Sequence, residues 1–312
     1  MRQFDSIRSL LVIILGMAAV LPAAGCGTKK KPALTIEQRL KNVEKEKTPD
    51  RQAAALLKIA RTQFAKNDES GAKETAAKAL EKLKVEGDAS LFAPRLVEVA
   101  GFLAEIGDRK PAREALGQAC GLVDSIDDPV RKAKLFADAG AIYKANTDSA
   151  QAKETLKKAA DSAASVEERF RAEALAAVAL GYTRSGMADA ASDVVDKLLD
   201  AAKTLEEPRA KAEALAAAAG VQGQAGKKKE AGQLLDEATT AAKSIERPAE
   251  NRAYALLAVA LATQSNGDTK QAMALLKEAD KAADKVPEPA SQKTIVDKVR
   301  ATMADFEKKL KK

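Results

Sequence analysis

Six leucines recur along the chain at an almost constant interval: Leu56, Leu96, Leu135, Leu175, Leu215 and Leu256, in steps of 40, 39, 40, 40 and 41. Four residues after each stands an alanine: Ala60, Ala100, Ala139, Ala179, Ala219 and Ala260. A second beat completes each unit. After a turn centred on Asn67, Gly107, Thr147, Gly186, Gly226 or Gly267 come Ala72, Ala112, Ala152, Ala191, Ala231 and Ala272, five residues on. Four further stand Ala76, Leu116, Leu156, Val195, Leu235 and Leu276, and three beyond these Ala79, Ala119, Ala159, Leu198, Ala238 and Ala279. Offsets of three and four place residues on one face of an α-helix. Each unit therefore reads as two antiparallel helices joined by a short turn, and a fixed period of this length marks a helical solenoid. The predicted fold is all-α: an α-solenoid of about six 40-residue helix-turn-helix repeats over residues 48–289, with terminal capping helices.

The abundance of alanine has a packing reason, because a methyl group lets helices cross at short distance while Leu, Val and Ile fill the gaps. Residues 35–47 predict an amino-terminal capping helix, opened by Thr35 with Gln38 three later as in a capping box. Its Ile36, Leu40 and Val43 lie one period before Ala76, Leu80 and Leu83. Pro49, Pro129, Pro208, Pro248 and Pro289 mark repeat starts, where a missing amide hydrogen costs nothing. The second repeat opens near Gly87-Asp88 and carries Pro94 inside its first helix, which predicts a late start or a kink. Gly220 and Gly223 make the fifth repeat the softest and predict a bend or a close backbone contact. Residues 290–312 predict a carboxy-terminal cap with Ile295, Val299, Met303, Phe306 and Leu310 on one face.

In repeat four, Leu175, Ala179, Tyr182, Gly186, Ala191, Val195 and Leu198 resemble the pattern of the tetratricopeptide repeat family. The resemblance runs roughly from Thr48 to Pro289. It departs in period, since the family unit is typically about 34 residues. The chain also has no tryptophan, and the place of Tyr182 is held elsewhere by Gln63, Leu103, Ile142, Gln222 and Thr263. The resemblance implies a right-handed solenoid whose first helices line a concave groove for an extended peptide or a partner's helix. Carried over position by position, the groove wall comprises Phe64, Phe136, Tyr143, Lys144, Arg184, Tyr254 and Gln264. Aromatic rings flanked by Lys144 and Arg184 would suit an acidic or carboxylate-bearing peptide. The competing reading, strongest for Phe64 and Phe136, is that the rings pack against the next repeat.

The amino terminus speaks of location. Arg2 and Arg8 precede an apolar run from Leu10 to Leu21, and Pro22-Ala23-Ala24-Gly25 supplies small residues, so residues 1–25 read as a secretion signal. Ala23-Ala24-Gly25-Cys26 resembles the bacterial lipoprotein signal, although Ala23 holds a place usually given to leucine. The resemblance implies that Cys26 is lipidated and begins the mature chain; the alternatives are an ordinary cleaved signal or an uncleaved anchor. Gly27, in place of aspartate, implies the outer membrane with the folded body in the periplasm. Residues 26–34 read as a lipidated cysteine and basic tether.

Chemistry is scarce. With no histidine the commonest general base and metal ligand is missing. Cys120 is the single cysteine beyond Cys26, which leaves no Cys-x-x-Cys site and no disulfide within the repeats, and it reads as a buried free thiol, the alternative being an intermolecular disulfide. The net charge of +7 is interspersed along helix faces rather than gathered, which argues against nucleic acid. No cofactor, metal or catalytic residue is expected. The sequence points to a non-catalytic, membrane-anchored periplasmic scaffold or adaptor for envelope protein partners. The alternative is a module that transiently binds an exported polypeptide or cell-wall polymer.

Overall fold

A computed structural model describes residues 34–84 and 87–310; the predicted signal and Cys26 lie outside the described residues. Among these residues there are fourteen α-helices and no strand. The helices fall into two compact units, one ending at Thr204 and the other beginning at Leu205. The sequence period continues through that division unchanged.

The first unit opens with α1 (Ile36–Val43) and continues as four pairs: α2 (Pro49–Phe64) with α3 (Glu69–Lys82), α4 (Ala89–Glu105) with α5 (Arg109–Asp124), α6 (Pro129–Ala145) with α7 (Ser149–Ala164), and α8 (Glu168–Arg184) with α9 (Ala188–Lys203). The second unit has two pairs, α10 (Pro208–Gln224) with α11 (Lys228–Lys243) and α12 (Ala249–Ser265) with α13 (Thr269–Ala283), followed by α14 (Pro289–Leu310). Within each unit the helices of a pair pack together, and each first helix lies against the next first helix and against the second helix before it. This is the stacking of a helical-repeat solenoid.

The period of the sequence is the period of the core. All six leucines, their six alanines and the eighteen marked positions of the second helices are buried. Each unit turns at a residue with positive φ: Asn67 (63°), Gly107 (78°), Thr147 (66°), Gly186 (69°), Gly226 (81°) and Gly267 (101°). In every case the following amide reaches back five residues: Asp68 to Gln63, Asp108 to Leu103, Asp148 to Tyr143, Met187 to Tyr182, Lys227 to Gln222 and Asp268 to Thr263, at 2.8–3.2 Å. This is the Schellman closure, which satisfies a carbonyl left over at a helix end.

Counting back from these turns corrects the register of repeat three. Eleven residues before each turn lie Leu56, Leu96, Leu175, Leu215 and Leu256, but before Thr147 lies Phe136, not Leu135. Phe136 is 2% exposed and Leu135 8%. By the same count Gly140, not Ala139, holds the small-residue place, and Tyr143, not Ile142, is the counterpart of Tyr182.

The proline signals act at helix starts: Pro49, Pro129, Pro208 and Pro289 are first helical residues, and Pro248 is an N-cap. Pro94 does not delay α4, which starts at Ala89 with Asp88 accepting from Ser90 N at 2.7 Å. Four of the loops that follow a pair bury an apolar residue that the helical pattern does not reveal, namely Ile126, Val166, Ile245 and Val286. At the start, Thr35 and Gln38 form both halves of the capping box and Val43 is buried. At the end, α14 buries Ile295, Val299 and Phe306, while Arg300 holds Asp280 at 2.8 Å and Asp284 at 3.3 Å. Gly223 makes the expected close approach, since a Cβ there would lie 2.9 Å from Asn266 Oδ1; Gly220 faces nothing within 4 Å.

Candidate interaction face

A first helix in the middle of a unit is covered on three sides, by its own second helix and by its two neighbouring first helices. What remains is a narrow row on the fourth side. In α4 it runs through Leu91, Pro94, Glu98 and Glu105; in α6 through Arg131, Lys134, Asp138 and Ala145; in α8 through Phe170, Glu173, Ala177 and Arg184. Spacings of three, four and seven keep each set on one helix face.

Charges on this row pair between repeats. Lys134 of α6 binds Glu173 of α8, Arg184 of α8 reaches back to Asp138 of α6 at 3.1 Å, and Arg61 of α2 meets Glu105 of α4 at 3.9 Å. Such solvated pairs are worth about 0–1 kcal/mol each, so they set register more than stability. The Asp138 side chain is 52% exposed. Surrounding protein nevertheless displaces enough water to push its carboxyl above the usual range, against the opposing pull of Arg184 and Lys134.

The seven predicted wall residues are distributed unevenly. Phe64, Phe136, Tyr143, Lys144 and Arg184 belong to the first unit, Tyr254 and Gln264 to the second. Lys144 is exposed, with Nζ 3.0 Å from Ser149 Oγ. Arg184 is on the open row but already paired. Phe64 is half-buried and meets Phe102 of the next first helix edge-on, centroids 6.1 Å apart, with Arg61 5.3 Å above the same Phe102 ring. Phe136 is core, and Lys158 of α7 lies 5.5 Å over its ring. Both phenylalanines therefore pack within the array.

Tyr143 is the clearest correction. A phenol on an open wall was expected, but Tyr143 is 4% exposed because, one place further along than the leucine count implied, it points back at the preceding repeat. Its hydroxyl meets Cys120 of α5, just as Tyr182 Oη donates to Leu156 O of α7 at 3.4 Å. Burial pushes the phenol up to about 12 and the half-buried Cys120 thiol up to about 11. Tyr254 is half-buried under two cations, Arg209 at 4.9 Å and Lys298 at 5.6 Å. Gln264 is half-buried near the end of α12. None of the seven bonds to another.

Sequence reasoning missed Arg131, and Pro94 is the signal that finds it. A proline in a helix has no amide hydrogen for the carbonyl four residues earlier, here that of Ser90. The guanidinium of Arg131, from the next first helix, donates to Ser90 O. Among the described residues Arg131 has no carboxylate within ion-pair distance, while Arg61, Arg95, Lys134 and Arg184 each have one.

No cluster of three or more potential metal-ligating side chains occurs among the described residues, and no described helix is long and apolar enough to cross a membrane.

No protein-family model matches the chain, and no curated protein matches it in sequence. Several solved structures share the helical arrangement loosely. Ton1535 from Thermococcus onnurineus NA1 has a TM-score of 0.44 at 15% identity, covering 84% of this chain and 94% of that one. The kinesin light chain TPR-like repeats of Podosopora anserina give 0.39 at 22%, covering 64% and 98%. A Rap protein complexed with competence and sporulation factor gives 0.38 at 15%, covering 88% and 79%. At these scores the likeness adds nothing to the repeat fold read directly from the helices.

Proposed function

We propose that the chain is a non-catalytic scaffold or adaptor of the bacterial cell envelope, tethered by lipid on Cys26 and binding protein partners along the open row of its first helices. One contrast carries the binding half. The side of each first helix that bears the leucines is buried, whereas the opposite row stays solvent-accessible and presents charges and two large apolar side chains, Leu91 of repeat two and Phe170 of repeat four. Exposed apolar side chains rimmed by charge are typical of protein-binding surfaces. The anchoring half rests on the amino-terminal sequence, where small residues precede Cys26 after a basic start and a short apolar run.

The experiment is a gentle-detergent pull-down of the tagged, full-length protein with mass spectrometry, beside a Lys134→Ala, Lys144→Ala, Arg184→Ala variant. Retention of envelope proteins in stoichiometric amount by the wild type, and their loss from the folded variant, is the expected result. Identical retention by both would remove the row from the account. Weak, substoichiometric capture would favour transient binding of an exported polypeptide or cell-wall polymer. Labelled fatty acid that fails to attach to Cys26 would sink the anchoring half alone.

A further inference from the structure

Leu91, Arg131 and Phe170 occupy one structural position in three successive repeats, five residues before Leu96, Phe136 and Leu175 respectively. Leu91 is 50% exposed and Phe170 45%, and they are the two large apolar side chains on described helices left this open. Arg131 lies on the first helix between theirs. Its guanidinium is docked on Ser90 O, the carbonyl that Pro94 leaves without a helical donor. One N–H is used in this way, while no carboxylate among the described residues pairs with the charge. A guanidinium held in place by a backbone carbonyl loses less freedom on binding than a mobile one.

Resting on the partner-binding role proposed above, we infer that α4, α6 and α8 form a subsite for an extended acidic segment of a partner protein, its carboxylate on Arg131 and apolar side chains on Leu91 and Phe170. Charge complementarity decides the class. Lys134 and Arg184, its neighbours on the row, already have acidic partners, whereas an incoming carboxylate at Arg131 displaces no existing pair.

The geometry also sets a spacing. Neighbouring helices stand roughly 10 Å apart, so two repeats separate Leu91 from Phe170 by about 20 Å. An extended chain covers this in about six residues. Residues i and i+6 of an extended segment share a face, and so do i+2 and i+4. The segment therefore carries two apolar residues six apart, with aspartate or glutamate two or four places from the first.

The test is selection of a random dodecapeptide phage library on the full chain, followed by fluorescence anisotropy of the enriched peptides. The expected peptides carry the apolar–acid–apolar spacing and lose about tenfold or more in affinity with Arg131→Gln, as loss of a charge-assisted contact implies. A paired Leu91→Ser, Phe170→Ser variant weakens them comparably. Pro94→Ala is the decisive variant, since it returns an amide hydrogen to Ser90 O and leaves the Arg131 charge intact. It is expected to weaken binding about threefold or more without loss of helix by circular dichroism. Peptides that bind but ignore Arg131→Gln would overturn the subsite while leaving the wider row in play. No enriched peptide at all would also overturn it, and the pull-down would then judge the adaptor reading independently.

Discussion

Two sets of glycines inside first helices, those of repeats three and four and Gly220 of repeat five, mean opposite things. In the third and fourth repeats, Gly140 of α6 and Gly181 of α8 close around Leu156 of α7. A Cβ on Gly140 would lie 2.6 Å from Leu156 Cγ, and one on Gly181 would lie 2.8 Å from Leu156 Cδ2 and 3.1 Å from the Ala137 carbonyl oxygen. In the fifth repeat, Gly220 of α10 meets nothing within 4 Å although the residue is buried. A helical glycine costs about 1 kcal/mol against alanine in either place. Gly140 and Gly181 recover that cost, by letting helices approach until a leucine fills the space, whereas Gly220 does not. Helix propensity alone cannot tell the two apart; the neighbouring volume does.

The largest way to break this comparison is Gly140→Val, which should lower unfolding free energy in urea by about 3 kcal/mol. An unchanged midpoint would mean that Leu156 repacks freely and that the close approach is incidental. Thr147 is the reverse case, a β-branched residue with φ of 66° where four other repeats have glycine. Thr147→Gly should raise stability by about 1 kcal/mol, seen as a shifted melting temperature, because a side chain in this region clashes with its own backbone. Gly220→Ala should also gain, by somewhat under about 1 kcal/mol. The adjacent Gly223→Ala should lose, because its methyl would meet Asn266 Oδ1 at 2.9 Å. If both alanine variants behave alike, local volume is not what separates these glycines.

The smallest effect concerns pH. The packed side of the comparison encloses the Tyr143 phenol and the Cys120 thiol, both raised chiefly by burial, to about 12 and about 11. A raised folded pKa means the neutral form is favoured by folding. Their contribution is complete below about pH 9 and is lost as pH climbs through 9 to 12. Melting temperature should fall across that window, less steeply in Tyr143→Phe. Alkylation of Cys120 in the folded protein should be slow at pH 8, as thiolate chemistry requires.

Much of the architecture was legible because it is written as period. Leu175 and Ala179 announce a buried face, and Gly186 a left-handed turn, whichever copy is read. The one-residue slip in repeat three was not legible from leucines alone, because Leu135 and Phe136 are adjacent and both apolar. The spacing of the second helix places Thr147 as a turn centre, and counting back eleven residues from it, rather than forward from Leu135, gives the true register. That slip sent Tyr143 to the wall when it belongs to the interior. Arg131 escaped for a different reason: its importance lies in Ser90 O, a backbone atom in another repeat, which no side-chain pattern records. Pro94 carried the only trace of it. Ile126 and Val166 were missed because loops have no helical spacing to betray burial.

The uniform turns have a consequence for how such a chain can be edited. Asp108 and Asp148 both follow a left-handed residue and both precede a second helix at the N-cap. Deleting residues 109–148 would join Asp108 to Ser149 with every backbone bond of the turn available on the new junction. Objection would come from volume instead, since Ala100 would then stand where Gly140 now makes room for Leu156. The backbone treats its modules as interchangeable, and side-chain size is what gives each one an address.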